Sequence, residues 1–83
     1  MKEKRIGVIG VVITDRETAA PKVNSILSEY ADTIIGRMGI PYRERNISVI
    51  SLIIEGSTDE IGALTGKLGS VKDVQVKSVM CTK

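Results

Sequence analysis

Residues 5–13 read RIGVIGVVI, and residues 46–54, forty-one positions on, read NISVISLII. Each stretch carries apolar side chains on both faces of a strand. In the first, Ile6, Val8 and Val12 oppose Ile9, Val11 and Ile13; in the second, Ile47, Val49 and Ile53 oppose Ile50, Leu52 and Ile54. A strand apolar on both faces is buried on both. The same shift carries Val11, Val12 and Ile13 onto Leu52, Ile53 and Ile54, Val23 and Leu27 onto Leu64 and Leu68, and Asp32 onto Asp73. One strand–helix–strand unit is therefore written twice. Two right-handed βαβ units sharing a sheet predict an α+β, ferredoxin-like βαββαβ domain, with four antiparallel strands in the order 4-1-3-2 and two helices on one face.

The remaining elements follow from local signals. Ala20, Val23, Leu27 and Tyr30, with Ile26 beside them, recur at helical spacing and predict a helix over 19–31, with Thr18 as its N-cap and Pro21 in the first turn. Strand two runs over 33–41, with Ile34, Met38 and Ile40 on one face and Arg37 on the other. Gly36, Gly39 and Pro41 suit an edge strand with a bulge. Residues 42–46 form a charged hairpin loop before strand three, over 47–55. Ser57 and Glu60 form a capping box for a second helix over 58–68, striped by Ile61, Leu64 and Leu68, with Gly69 at C′. Gly62 and Gly66 weaken that helix and leave room for a close neighbour. In strand four, over 74–81, Val74, Val76 and Met80 alternate with Gln75, Lys77 and Val79, the pattern of an edge.

Composition narrows the possibilities. The chain has 83 residues, enough for one domain over 1–83, and neither Phe nor Trp. A core of Ile, Val, Leu and Met in so short a chain is thin, and a thin core gains from a partner. Two helices cover one face of the sheet, so the other is left with roughly half a dozen apolar side chains, more than a monomer ordinarily exposes. This predicts a dimer or a tetramer packed face to face, with Ile9, Val11, Ile13, Ile50, Leu52 and Ile54 as the interface set. The alternative is a monomer that leaves this face wet. A net charge of +2 argues for no nucleic-acid partner, and the absence of aromatic residues from the central strands excludes base stacking of the RNA-recognition type. No apolar run is long enough to span a bilayer, and the start of the chain lacks a secretory apolar segment. The single Cys81 fits a reducing cytoplasm.

The chain has no His, which removes Ser–His and Cys–His catalysis. With one Cys, no closed tetrahedral nitrogen–sulfur metal site forms within a protomer, and no cofactor is implied. The glycines Gly7 and Gly10 lie within a strand and match no phosphate-binding motif. The loop Thr14 to Thr18 lacks the glycines of the acylphosphatase phosphate cradle. Arg43, Glu44 and Arg45 read as a solvated hairpin tip. The polar cluster that remains is Asp15 to Thr18, at the end of a central strand and the start of a helix, where backbone N–H groups attract anions. Its plainer reading is a helix cap with charged neighbours.

The strand at Ile6 to Val12, the loop containing Asp15, the segment Asn46 to Ile54, and Gly69 followed by Asp73 and Val74 resemble the ACT-like regulatory domains, among them the C-terminal domain of the nickel-responsive regulator. Arg5 to Gly10 and Asn46 to Val49 are similar, more closely, to the family of iron-only hydrogenase system regulators, over nearly the whole chain. The resemblance implies a stand-alone, non-enzymatic regulatory module that oligomerises through its sheet. It implies also a small effector near the loop after strand one, at a subunit boundary. On this reading Thr14, Asp15, Arg16 and Thr18 meet Met38 and Gly39 of a neighbouring protomer around an anionic ligand. The chain departs from the nickel regulator in having no His on the strand from Ser48 to Ile54, and from amino-acid-binding ACT domains in having no Gly at Asp15 to Glu17. Two other readings remain: an assembly module that binds protein alone, and a small enzyme or anion-binding protein using Arg16 and Asp15.

Overall fold

In the computed structural model, which describes residues 4–82, the chain runs β1 (Arg5–Ile13), α1 (Arg16–Glu29), β2 (Ile34–Tyr42), a 3₁₀ turn (Arg43–Arg45), β3 (Ile47–Gly56), α2 (Thr58–Gly69) and β4 (Val74–Met80). The sheet order is β2-β3-β1-β4, with every neighbouring pair antiparallel. This is the ferredoxin-like arrangement that the repeat predicts. The two doubly apolar strands, β1 and β3, occupy the centre, each facing the other with Ile9 opposite Leu52 and Val11 opposite Ile50.

One face of that central pair is the core. Ile9, Val11, Ile13, Ile50, Leu52 and Ile54 are all buried, with Ala19, Val23 and Leu27 of α1 and Ile61, Leu64 and Leu68 of α2 packed over them. This corrects the interface assignment: the six residues are enclosed within the protomer, beneath the helices, and present no surface to a second copy. The bare face belongs to the complementary set. Ile6, Val8, Val49 and Ile53 of the central strands, Met38 and Ile40 of β2 and Val79 of β4 are exposed there. A period-two pattern separates the two faces, but where both faces are apolar it does not say which the helices cover.

Two local findings revise the element boundaries. Helix α1 starts at Arg16, and its N-cap is Asp15. Pro21 is thus the sixth helical residue. Its missing N–H leaves the Glu17 carbonyl without its usual helical donor, at the exposed end of the helix. In β2 the register shifts between Ile34 and Gly36, so Ile35 is an extra residue. The bulge reverses the phase of the strand. Ile34 pairs with Ile54 and packs against the core, whereas Met38 and Ile40, opposite Ser51 and Val49, lie on the bare face. The expected single face of Ile34, Met38 and Ile40 is therefore split.

The capping box of α2 forms as expected: Glu60 N donates to Ser57 Oγ at 3.1 Å and Ser57 N to Glu60 Oε1 at 2.8 Å. The helix ends differently. Gly69 is its last residue, Ser70 is the C-cap in the right-handed region, and no glycine among the described residues has a positive φ. The left-handed positions are Asn46 (φ 54°), which ends the 3₁₀ turn, and Asp73 (φ 68°), which precedes β4. Asn and Asp tolerate this conformation through local side-chain hydrogen bonding.

Gly7 of β1 and the glycines of α2 play opposite parts. A Cβ on Gly7 would lie 2.7 Å from the backbone oxygen of Val79, so this glycine lets β4 close against β1. Gly62 and Gly66 face open space, with no atom within 4 Å of where a Cβ would stand, and permit no close approach to anything in the protomer. We expect Gly7→Ala to lower the unfolding free energy by ~1–3 kcal/mol through overpacking. Gly62→Ala with Gly66→Ala should raise it by ~1–2 kcal/mol through helix propensity. Urea denaturation of the two variants measures both; destabilisation by the helix pair would mean that this outer surface is packed against something in solution.

Candidate functional site

The sequence-predicted loop sits at one end of the sheet, where β1 gives way to α1. Its backbone is tied to the other half of the repeat. Thr14 N and Thr14 Oγ1 both donate to the carbonyl oxygen of Asp73, at 2.9 and 3.1 Å. Asp15 then turns the chain into the helix. Its Oδ2 accepts from the Thr18 hydroxyl at 2.7 Å and its Oδ1 from Thr18 N at 3.4 Å. The Thr18 hydroxyl, followed by the Thr18 backbone N–H, holds the Asp15 carboxyl below its ordinary pKa. The carboxylate is thus engaged in capping, and Thr18 is its partner rather than the cap.

Two adjoining clefts open beside this loop. The first, of about 550 Å³, is lined by Thr14, Asp15, Arg16, Glu17 and Ala20 from the β1–α1 segment and by Asn46 and Ser48 from the start of β3. The second, of about 200 Å³, runs between α1 and the edge strand β2, and its walls include Arg16, Ala20, Asn24, Arg37, Gly39 and Pro41. Arg16, Ala20 and Ser48 border both. The structure therefore brings Thr14, Asp15, Arg16 and Gly39 together within one protomer. It separates Met38 from them. Met38 pairs with Ser51, points to the bare face and is 64% exposed, whereas Gly39 pairs with Ile50 on the helix side.

The sequence reading missed Asn24, Arg37, Asn46 and Ser48. A signal for the last two was present: in the order 4-1-3-2 the start of β3 lies beside the end of β1, and Ser48 is indeed the partner of Ile13. Arg37 stands two residues before Gly39 and so shares its face, and its Nη2 donates to Asn24 Oδ1 of α1 at 3.2 Å. Asn24 gave no sequence-level signal beyond its place on the helix. Among the described residues no group of three or more His, Cys, Asp or Glu side chains is placed to hold a metal ion. Cys81 is exposed at the end of β4.

Residues 5–78 match the family described as "TM1266-like: Iron-only hydrogenase system regulator, putative". The chain belongs to the TM1266-like family. The solved structure of the uncharacterized protein TM1266 from Thermotoga maritima is 41% identical in sequence, with a TM-score of 0.93 over 96% of this chain and 100% of that one. The ACT domain from the GTP pyrophosphokinase of Chlorobium tepidum has a TM-score of 0.77 at 22% identity, over 93% of this chain and 100% of that one. An ACT domain protein from Streptococcus pneumoniae has a TM-score of 0.55 at 14% identity, over 92% and 89% of the two chains. At those identities the last two show the ACT-like fold alone. No curated protein matches the sequence at a significant level. No helix among the described residues is long and apolar enough to cross a membrane.

The engagement of Asp15 has a pH signature in the TM1266-like domain. Because its folded pKa is depressed, the carboxylate contributes stability above its unfolded value of about 4, and that contribution is lost as pH falls through the folded pKa. Asparagine caps as well as aspartate but does not titrate. Thermal unfolding of wild type and Asp15→Asn should therefore show a constant difference near neutral pH that changes, against the wild type, below about pH 4. An unchanged difference down to about pH 2 would mean that the cap is not formed in solution.

Proposed function

We propose that this chain is a non-enzymatic regulatory module of the iron-only hydrogenase system that works as an oligomer, a dimer or a tetramer, in the cytoplasm. The observation that carries the proposal is the bare face of the sheet. Val8 and Ile53, paired across the central strands, lie in one row with Val79, which is 63% exposed; Val12 and Val49 lie in another with Ile40. Between them runs a shallow row of Gly10, Ser51 and Lys77, ending at Met38. A second copy brought face to face would cover roughly 600–800 Å² on each partner, within the range of stable specific interfaces. At about 25 cal/mol per Å² of apolar area the gain exceeds any other single contribution open to so small a domain. Membership of the regulator family supports the regulatory role, and the ACT-like fold supports effector control. A small effector at the clefts beside Arg16 would bias one arrangement of the copies over another.

A second reading is favoured by the same face: an assembly module whose sheet is covered by a different protein and which has no small-molecule ligand. The two are separable. Sedimentation should give a species heavier than the 9.0 kDa protomer at micromolar concentration. Ile53→Asp, on the bare face, should yield a folded monomer, whereas Leu52→Asp, in the core, should abolish folding, as circular dichroism would report. A wild-type protein that sediments as a stable monomer would refute the oligomer and leave the heterologous assembly. Thermal shift against amino acids, nucleotides and metal ions then asks whether a ligand site exists, since a ligand raises the midpoint only by binding the folded state.

A further inference from the structure

The two clefts beside α1 differ in charge. The larger is bordered by Asp15 and Glu17. In the smaller, Arg16 and Arg37 stand on opposite walls, one from α1 and one from β2, with Asn24 and Ser48 as the neutral polar groups, and no Asp or Glu among the residues that line it. The only hydrogen bond that either guanidinium makes among the described residues is from Arg37 to Asn24, a neutral acceptor that orients the fork without compensating its charge. The side-chain ion pair of Lys67 with Glu29 lies elsewhere, between the two helices. The floor is apolar, from Ile13 and Ile50, and Gly39 contributes no side chain to fill the space. Two guanidinium groups placed around one small cavity without an acid suit a ligand that carries the missing negative charge, and each fork can hold a pair of oxygens.

The same charge distribution argues against a zwitterion. An amino acid needs an acceptor for its ammonium group, and this cleft has no carboxylate. In the adjoining cleft, Asp15 accepts from Thr18 with both oxygens. We propose that the cleft between α1 and β2 binds a small organic dianion, its acidic oxygens held between Arg16 and Arg37 and its carbon skeleton lying on Ile13 and Ile50. The cavity of about 200 Å³ matches the size of a short dicarboxylate or a small phosphate monoester. This names the ligand class for the effector site of the regulatory reading and rests on that reading only for the consequence of binding, not for binding itself.

Isothermal titration at low ionic strength, with glutarate, glycerol 3-phosphate, inorganic phosphate, glutamine and glutaramide as probes, tests the proposal. At least one of the two organic dianions should bind saturably at one site per chain, with glutamine and glutaramide at least roughly tenfold weaker. Whichever of glutarate and glycerol 3-phosphate binds more tightly identifies the acidic group. Arg16→Gln and Arg37→Gln should each weaken that binding by roughly tenfold or more, without moving the unfolding midpoint of the unliganded protein. If Arg37→Gln fails to fold, Arg37→Lys keeps the charge but loses the fork and should also bind more weakly. The proposal is overturned if neither organic dianion binds at millimolar concentration. It is overturned equally if inorganic phosphate binds as tightly as they do, if glutamine matches glutarate, or if binding survives in the double Arg variant. Sedimentation of the wild-type samples is read separately: an oligomer to which neither organic dianion binds refutes the ligand class, and a monomer that still binds one refutes the oligomeric reading.

Discussion

Everything in this domain hangs on the antiparallel pairing of β1 with β3. Nine residues of β1 pair in unbroken register, from Arg5 opposite Gly56 to Ile13 opposite Ser48. That register puts Ile9, Val11 and Ile13 on the same side as Ile50, Leu52 and Ile54, and so creates a continuous floor for both helices. A slip of one residue would bring the outer set, with Gly10 and Ser51 in its middle, beneath α1 and α2 and leave the floor uneven. The same pairing places the end of β1 beside the start of β3, which is what brings Asn46 and Ser48 to the cleft occupied by Arg16. Core and candidate site are thus two outcomes of one set of backbone hydrogen bonds.

How much of this can be read from the amino-acid order depends on the range of the signal. The strand faces are legible because side chains alternate with period two, and the central place of β1 and β3 is legible because both are apolar twice over. The covered face is harder. Its mark lies in β4, where Gln75 and Lys77 are the outward residues and sit opposite Val12 and Gly10. The polar side of an edge strand thereby labels the bare side of the centre, but only once the register is known. The start of α1 is ambiguous for a local reason. Asp15 and Thr18 are both good capping residues, three apart, and they bond to each other; the stronger acceptor takes the cap. The bulge at Ile35 has no signal beyond the nearby glycines, and it is what removes Ile34 from the face of Met38.

The site shows the same division. Thr14, Asp15 and Arg16 could be singled out because they follow a central strand and precede a helix. Arg37 could not, because its importance lies in being carried by the edge strand to the far wall of a cleft whose near wall, at Arg16, lies far earlier in the chain. Long-range placement of this kind comes from topology, not from composition. The chain belongs to the TM1266-like family and has an ACT-like fold, and neither could have singled out Arg37.

The two halves of the repeat do not form two half-domains. β1 and β2 belong to the first half yet never touch as strands; β3 lies between them, and β1 lies between β3 and β4. Each half is completed only by the other. A nascent chain that has emerged as far as Tyr42 has its first strand, its helix and its second strand, and not one interstrand hydrogen bond available from the native ladder. Sheet formation must wait until Ile47 to Gly56 has been made; β2 then pairs with it across a short hairpin, but the β1–β3 ladder closes a loop that spans most of the first half. Contacts of such separation slow folding and favour an all-or-none transition. The duplication that makes the fold easy to recognise therefore also makes it indivisible in time: the first half offers no sheet of its own for the second to build upon.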